Sequence, residues 1–270
     1  MSIVERNITI VVPRRGINDE GKGKKHALYR LISAAETDYV WMMDDDVLPA
    51  PIANSSSYER PIGGTPSNSL NEASDLYILP LRMVSENEKP SLLERLQIAE
   101  YAAIQQLTIK AALRGRAVMC SGANLIVKRE RWLESYKDLH PEIPSGDDMF
   151  LLESFKRRGL KIVVLDDPRF EAIVRPHTSW RAFFRQRMRW AGKAPKYTDK
   201  DILRCGAIVL GANLLQLVCP LVLLLKFPIE YSLIKERDAS VSLFTVLLLE
   251  ILYPFYTIIS IVGGIFRRKW

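Results

Sequence analysis

Tyr39-Val40-Trp41-Met42-Met43-Asp44-Asp45-Asp46 decides the fold. Five apolar residues, a typical strand length, run directly into three aspartates. Upstream, Asn7–Val12 (NITIVV) is a β-branched run stopped by Pro13. His26–Ala35 places Leu28, Leu31, Ile32 and Ala35 at helical spacing. Strand, loop, helix and strand in that order predict a parallel α/β sheet, whose ligands gather at the carboxyl ends of the strands.

The aspartates stand at such an end. Strand alternation predicts Asp44 and Asp46 on one face and Asp45 on the other. Adjacent carboxylates repel unless a cation lies between them. Their hard oxygens suit Mg²⁺ or Mn²⁺, either of which also bridges to a diphosphate. A solvated acidic turn is the competing reading.

Further along, Ala50–Ser74 is rich in Pro, Ser, Asn and Gly and reads as a loop or lid. Leu76–Val84 reads as a strand. Ser91 and Glu94 form a capping box that opens a helix running through Leu113. A short strand at Asn124–Val127, a helix at Asp147–Arg158 closed by Gly159, a strand at Lys161–Leu165 and a basic aromatic helix at Ser179–Gly192 complete the charged part.

The 270 residues are lopsided in composition, because almost every long apolar run follows Leu203. Leu203–Phe227 and Ser242–Phe266 each satisfy the roughly 20 residues that a bilayer requires. Each holds at most one charged residue before its end, Arg204 at the edge of the first and Glu250 inside the second, and Pro220 and Pro254 are tolerable kinks. A pair of buried core helices is the alternative. The basic terminus Arg267-Arg268-Lys269-Trp270 suits a cytoplasmic membrane edge, so the spans predict a hairpin with both ends cytoplasmic. No signal peptide is expected at Met1–Pro13. The net charge of +7 fits nucleic acid, an anionic membrane or a phosphate-bearing substrate without choosing among them. Cys120, Cys205 and Cys219 have no zinc-site spacing and read as inert thiols in a reducing compartment.

Three more motifs carry chemistry. Gly21-Lys22-Gly23-Lys24-Lys25 precedes a helix; its glycines, its lysines and the helix N-terminus suit phosphate, although the spacing is not that of a Walker A loop. A solvated basic loop is the alternative. Ser145-Gly146-Asp147-Asp148 opens a helix, where a carboxylate can deprotonate an acceptor hydroxyl or simply complement the helix dipole. In Gln186-Arg187-Met188-Arg189-Trp190, the residues Gln186, Arg189 and Trp190 share a helix face offering an amide, a guanidinium and an indole. Its neighbours Trp180, Arg181, Phe183, Phe184 and Arg185 also suit an interfacial helix.

In this order the motifs resemble the family-2 glycosyltransferases, the inverting group that includes cellulose, hyaluronan and ceramide-glucose synthases. The shared signature is Asp-x-Asp, a later (Glu/Asp)-Asp and Gln/Arg-x-x-Arg-Trp before membrane helices, and it spans Asn7–Gly192 here. Lys22–Leu28 (KGKKHAL) and Cys120–Lys128 (CSGANLIVK) are similar to the family's glycine-lysine helix start and acceptor-side segment.

The resemblance implies a GT-A-like (Rossmann-like) mixed or parallel sheet with flanking helices. It divides the chain into a partial catalytic domain at 1–177, an amphipathic interfacial helix at 178–200 and a two-helix transmembrane hairpin at 201–270. Asp44 and Asp46 would hold Mg²⁺ or Mn²⁺, with Lys22, Lys24, Asp44 and Arg189 on the nucleoside diphosphate. Asp148 would be the general base, and Asp147, Gln186 and Trp190 substrate contacts. The expected reaction is transfer of a sugar, with inversion, from a UDP-sugar to an acceptor hydroxyl at the cytoplasmic face of a membrane (the plasma or inner membrane in a bacterium).

A single transfer to a lipid-linked or polysaccharide acceptor is expected rather than processive synthesis, and no nucleic-acid partner. Relatives carry a strand–helix–strand unit before the glycine-lysine loop, which here begins at Gly21. That unit and its base-binding aspartate have no room there, so a wrong start site, a fragment or an incomplete nucleotide pocket is expected, and the chain as given is expected to bind nucleotide sugar weakly or not at all. A non-catalytic membrane subunit or truncated pseudoenzyme is the alternative function.

Overall fold

The computed structural model describes residues 8–14, 23–49, 74–143 and 145–266. They fall into two compact units that interleave in sequence. One comprises the chain up to Leu81 and Ala111–Val174; the other comprises Arg82–Lys110 and the chain from Arg175 onward.

In the first unit, β1 (Ile8–Val11) is followed by α1 (Lys24–Ala34) and β2 (Tyr39–Met43). β1 and β2 pair in parallel, Ile8 opposite Tyr39. All five β2 residues are buried, as expected of a strand covered on both faces. β3 (Leu48–Pro49) follows the aspartates and pairs antiparallel with β8 (Ala172–Val174). β4 (Leu76–Ile78) and β5 (Leu81–Met83) divide the expected strand Leu76–Val84. Between them Pro80 has no N–H to give a ladder, while its carbonyl accepts from Ala172 N and Asn124 Nδ2.

β6 (Asn124–Lys128) and β7 (Ile162–Val164) complete a sheet ordered β1-β2-β6-β4-β7 among the described residues. β6 runs antiparallel to both its neighbours, so the sheet is mixed. Periodicity in the sequence carries no information on that direction. Its faces are covered by α1, by α3 (Arg129–Glu134) and by α4 (Asp147–Arg157), which contribute Leu28, Ile32, Trp132, Phe150, Leu151 and Phe155 to the core. Arg129 closes α1 by donating to the carbonyls of Ile32 and Ser33, the end where a cation complements the helix dipole.

The second unit is helical: α2 (Leu92–Leu113, its last turn excepted), α5 (Trp180–Ala191), α6 (Lys200–Val218), α7 (Val222–Arg237) and α8 (Leu243–Phe266). The Ser91–Glu94 capping box is formed in both directions. Ser91 N donates to Glu94 Oε2 at 2.8 Å, and Glu94 N donates to Ser91 Oγ at 3.3 Å. Ser179 likewise caps α5 by accepting from Ala182 N. Leu96, Ala99, Ala102, Ile234, Val246 and Leu249 form the unit's apolar core.

The apolar tail corrects one expectation. The first run, read as one span over 203–227, breaks at Cys219–Leu221 into α6 and α7. Pro220 has no N–H and pushes the preceding Cys219 into extended backbone (φ −130°, ψ 90°), which ends α6. The expected connecting loop is largely α7. Among the described residues two helices, α6 and α8, remain long and apolar enough to cross a membrane, at about 28 and 36 Å by helical rise. Both expose large apolar side chains, among them Ile208, Val218, Phe244 and Phe266.

Inside this bundle lies a polar cluster. Lys226 Nζ contacts Glu250 Oε2 at 2.6 Å and Asn213 Oδ1 at 3.1 Å, and Gln216 Nε2 donates to the Glu250 carbonyl at 2.9 Å. Glu250, the one acid within the second expected span, is fully buried and therefore needs that partner.

Candidate active site

The Asp44 triplet lies in a turn, not in a strand. β2 ends at Met43, and Val47 N donates back to Asp44 O at 3.3 Å, so Asp45 and Asp46 are the central residues of a tight turn. This corrects the alternation expected across Asp44–Asp46. Asp44 is half-buried, and both Asp45 and Asp46 are exposed.

Lys24, in the first turn of α1, meets Asp44. Its Nζ lies 2.7 Å from Asp44 Oδ1 and 3.1 Å from Asp147 Oδ2. Gly23 enters α1 with φ 89°, a backbone open to glycine, and no side chain caps that end. Gly146 does the same for α4 with φ 85°, so Asp147 and Asp148 fall in its first turn. Asp147 is buried at 4% exposure, whereas Asp148 is half-buried. Asp148 accepts from Met149 N at 2.8 Å and, more loosely, from Gly122 N at 3.4 Å. Gly122 stands close to this pair: a Cβ there would lie 2.9 Å from Asp147 Oδ2 and 3.3 Å from Lys24 Nζ, so a side chain would have to displace the ion pair.

Charge follows this geometry. Burial alone disfavours the Lys24 ammonium, but Asp147 and Asp44 outweigh it and hold the proton more firmly than on an ordinary lysine. Burial would raise the Asp147 carboxyl, yet the charge and hydrogen bond of Lys24 bring it below the usual range. Asp44 goes the other way. Burial lifts its carboxyl and, with lesser repulsion from Asp147 and Asp46, outweighs the attraction of Lys24. Cys120, which donates to the Asp148 carbonyl at 3.2 Å, is an inert thiol because burial pushes its pKa well up, and Asp148 and Asp147 add to that.

Asp44, Asp46, Asp147 and Asp148 thus lie within electrostatic reach of one another or of a single ammonium. Among the described residues, no group of three or more His, Cys, Asp or Glu converges into a ready-made metal cage. The residues still fit a divalent cation. Asp44 and Asp46 offer two hard oxygen ligands beside an excess of negative charge, and Mg²⁺ ordinarily takes its remaining ligands from phosphate and water.

Two residues have structural parts that the sequence does not show. Lys25, the last of the three lysines in its motif, is buried and donates to the carbonyls of Leu139 (2.5 Å) and His140 (2.9 Å), so it holds a turn. Asn124 accepts from Trp41 Nε1 and donates to the carbonyls of Pro80 and Phe170, all at 2.8 Å, which locks the strand end that carries the aspartates. Lys22 lies outside the described residues, as do the Ala50–Thr65 and Pro66–Ala73 portions of the expected loop. Gln186, Arg189 and Trp190 belong to α5 in the second unit, with Trp190 at 38% exposure.

A mixed α/β sheet with an acidic turn at the end of a central strand, and a second acid pair opening a helix, defines a glycosyltransferase of the GT-A class. Residues 5–193, well over half of the chain, match the family described as Glycosyltransferase like family 2, and the chain belongs to it. No curated protein matches the sequence. Membership establishes glycosyl transfer from a nucleotide sugar to an acceptor.

Proposed function

We propose that this enzyme is an integral membrane glycosyltransferase. It moves a sugar, with inversion, from a UDP-sugar to a hydroxyl of a lipid-linked or polysaccharide acceptor on the cytoplasmic side. The observation carrying this reading is the cluster of Asp44, Asp147 and Lys24, with Asp46 and Asp148 beside it, at the end of β2 and the start of α4.

Asp148 is half-buried at a helix N-terminus and takes the proton of the acceptor hydroxyl. The freed oxygen attacks the anomeric carbon from the face opposite the diphosphate. The bond to the diphosphate oxygen breaks, its electron pair leaves with the nucleotide, and the configuration inverts. Lys24 holds Asp44 and Asp147 in place and presents positive charge to the leaving group. Asp44 and Asp46 would hold Mg²⁺ or Mn²⁺, which would supply further neutralisation of the leaving group's charge when bound. The roles of Gln186, Arg189 and Trp190 in binding acceptor and diphosphate rest on their motif. Membrane insertion is supported by α6 and α8 and their exposed apolar faces.

The test is to incubate proteoliposomes of the full chain with UDP-sugars and Mn²⁺. The reading requires release of UDP that chelation abolishes and a product anomer opposite to that of the donor. Retention of configuration, or undiminished turnover in chelator, overturns it.

A further inference from the structure

Within Gln186–Trp190 the one buried residue, Arg187, was given no role from the sequence. Arg187 is 5% exposed. Its Nη2 donates to Glu100 Oε2 on α2, and its Nη1 donates to Gln186 Oε1 at 3.0 Å. The guanidinium carbon stands 4.3 Å from the ring centroid of Trp190 and 4.9 Å from that of Phe183. Glu100 is buried too, and its other oxygen accepts from Tyr256 of α8.

Burying an ion pair adds little stability over an apolar pair of the same volume, so stability alone does not account for this one. What the guanidinium adds is direction. It is planar, donates at fixed angles and stacks on rings, so one group can orient an amide and an indole at once. Gln186 and Trp190 are the two substrate contacts expected of this helix, and Trp190 would otherwise be a half-exposed side chain free to change rotamer.

We propose that Arg187, anchored by Glu100 and Tyr256, is a positioning residue. It holds the Gln186 amide and the Trp190 indole in the arrangement that receives the sugar. This inference rests on the proposed role of Gln186 and Trp190.

Lysine preserves the charge paired with Glu100 but cannot stack or fork, so Arg187→Lys separates positioning from charge balance. The readouts on the full chain are acrylamide quenching of Trp190, taken as the difference from a Trp190→Phe background, and UDP release from UDP-glucose, UDP-galactose and UDP-N-acetylglucosamine. For R187K the proposal expects easier quenching and a KM raised about tenfold, with kcat within about threefold of the parent. Glu100→Gln should behave alike, and Glu100→Asp should recover most of the difference. Should R187K fail to fold, the E100Q and E100D pair carries the test. R187K with parental quenching and KM overturns the proposal. If the parent chain releases no UDP, the enzymatic reading falls, and the quenching of Trp190 alone decides whether Arg187 positions it.

Discussion

Lys24 Nζ lies 2.7 Å from Asp44 Oδ1, so a lysine at a helix start neutralises an aspartate at a strand end. Its second partner, Asp147, is almost fully buried. Removing the ammonium leaves Asp44 without its ion-pair partner and Asp147 with only the weaker pull of Lys25. Lys24→Ala is expected to cost about 1–3 kcal/mol, the usual penalty of stranding buried polar groups. Mn²⁺ should then raise the melting temperature of K24A more than that of the parent, an excess that Asp44→Asn in the same background removes. Mn²⁺ shifts that Asp44→Asn leaves unchanged in both K24A and parent would rule out Asp44 as a cation ligand.

The Ser91–Glu94 box makes stability depend on acid. Hydrogen bonds from Ser91, backbone first, and then from Ser85 and Asn87 bring the Glu94 carboxyl from an ordinary 4.5 down to about 2. A carboxyl lowered on folding contributes stability that is complete above the unfolded value and lost as pH falls through the folded one. The difference in unfolding midpoint between parent and Glu94→Gln should therefore be full at pH 6 and shrink steadily between about pH 4.5 and 2. A constant difference across that window contradicts the assignment.

α5 and α8 approach closely enough to exclude a side chain. A Cβ on Gly264 would lie 2.8 Å from Gly192 N and 2.9 Å from Met188 O, which are backbone atoms that cannot yield. A Cβ on Gly263 would meet only the Met188 side chain, nearest at its terminal methyl, 2.6 Å away. Gly264→Ala is expected to destabilise by about 1–3 kcal/mol and Gly263→Ala by less, because methionine repacks. Thermal unfolding in detergent compares them, and equal losses would deny the backbone contact.

The pairing of Lys226 with Glu250 makes a sign-specific prediction. Lys226→Met alone leaves a fully buried carboxylate unpaired and should cost about 3–5 kcal/mol, whereas adding Glu250→Gln should return most of that loss. Additive losses in the double-mutant cycle would mean that the two do not interact.

How much of this was legible in the sequence depends on the kind of force involved. β2 and the acids after it, the Ser91 cap and the start of α4 were readable because local periodicity and capping chemistry fix them. The turn at Asp44–Val47 was legible only as the competing reading, because a run of three aspartates carries no mark of where pairing stops. The break after α6 was readable in principle from Pro220, but a transmembrane reading tolerates proline and passed over it. Lys24 against Asp147, Lys226 against Glu250 and Arg187 against Glu100 span long sequence separations. Residue type and spacing alone do not pair such partners, and the interleaving of the two units is hidden for the same reason.

The central claim is that Asp148 is the base. The direct measurement is the rate of sugar transfer by Asp148→Asn, with donor affinity followed in parallel by calorimetry. The account predicts a fall of about 10²–10⁴-fold in kcat with nucleotide-sugar affinity little changed, since an amide keeps the shape of the side chain but takes no proton. Transfer within tenfold of the parent would contradict it.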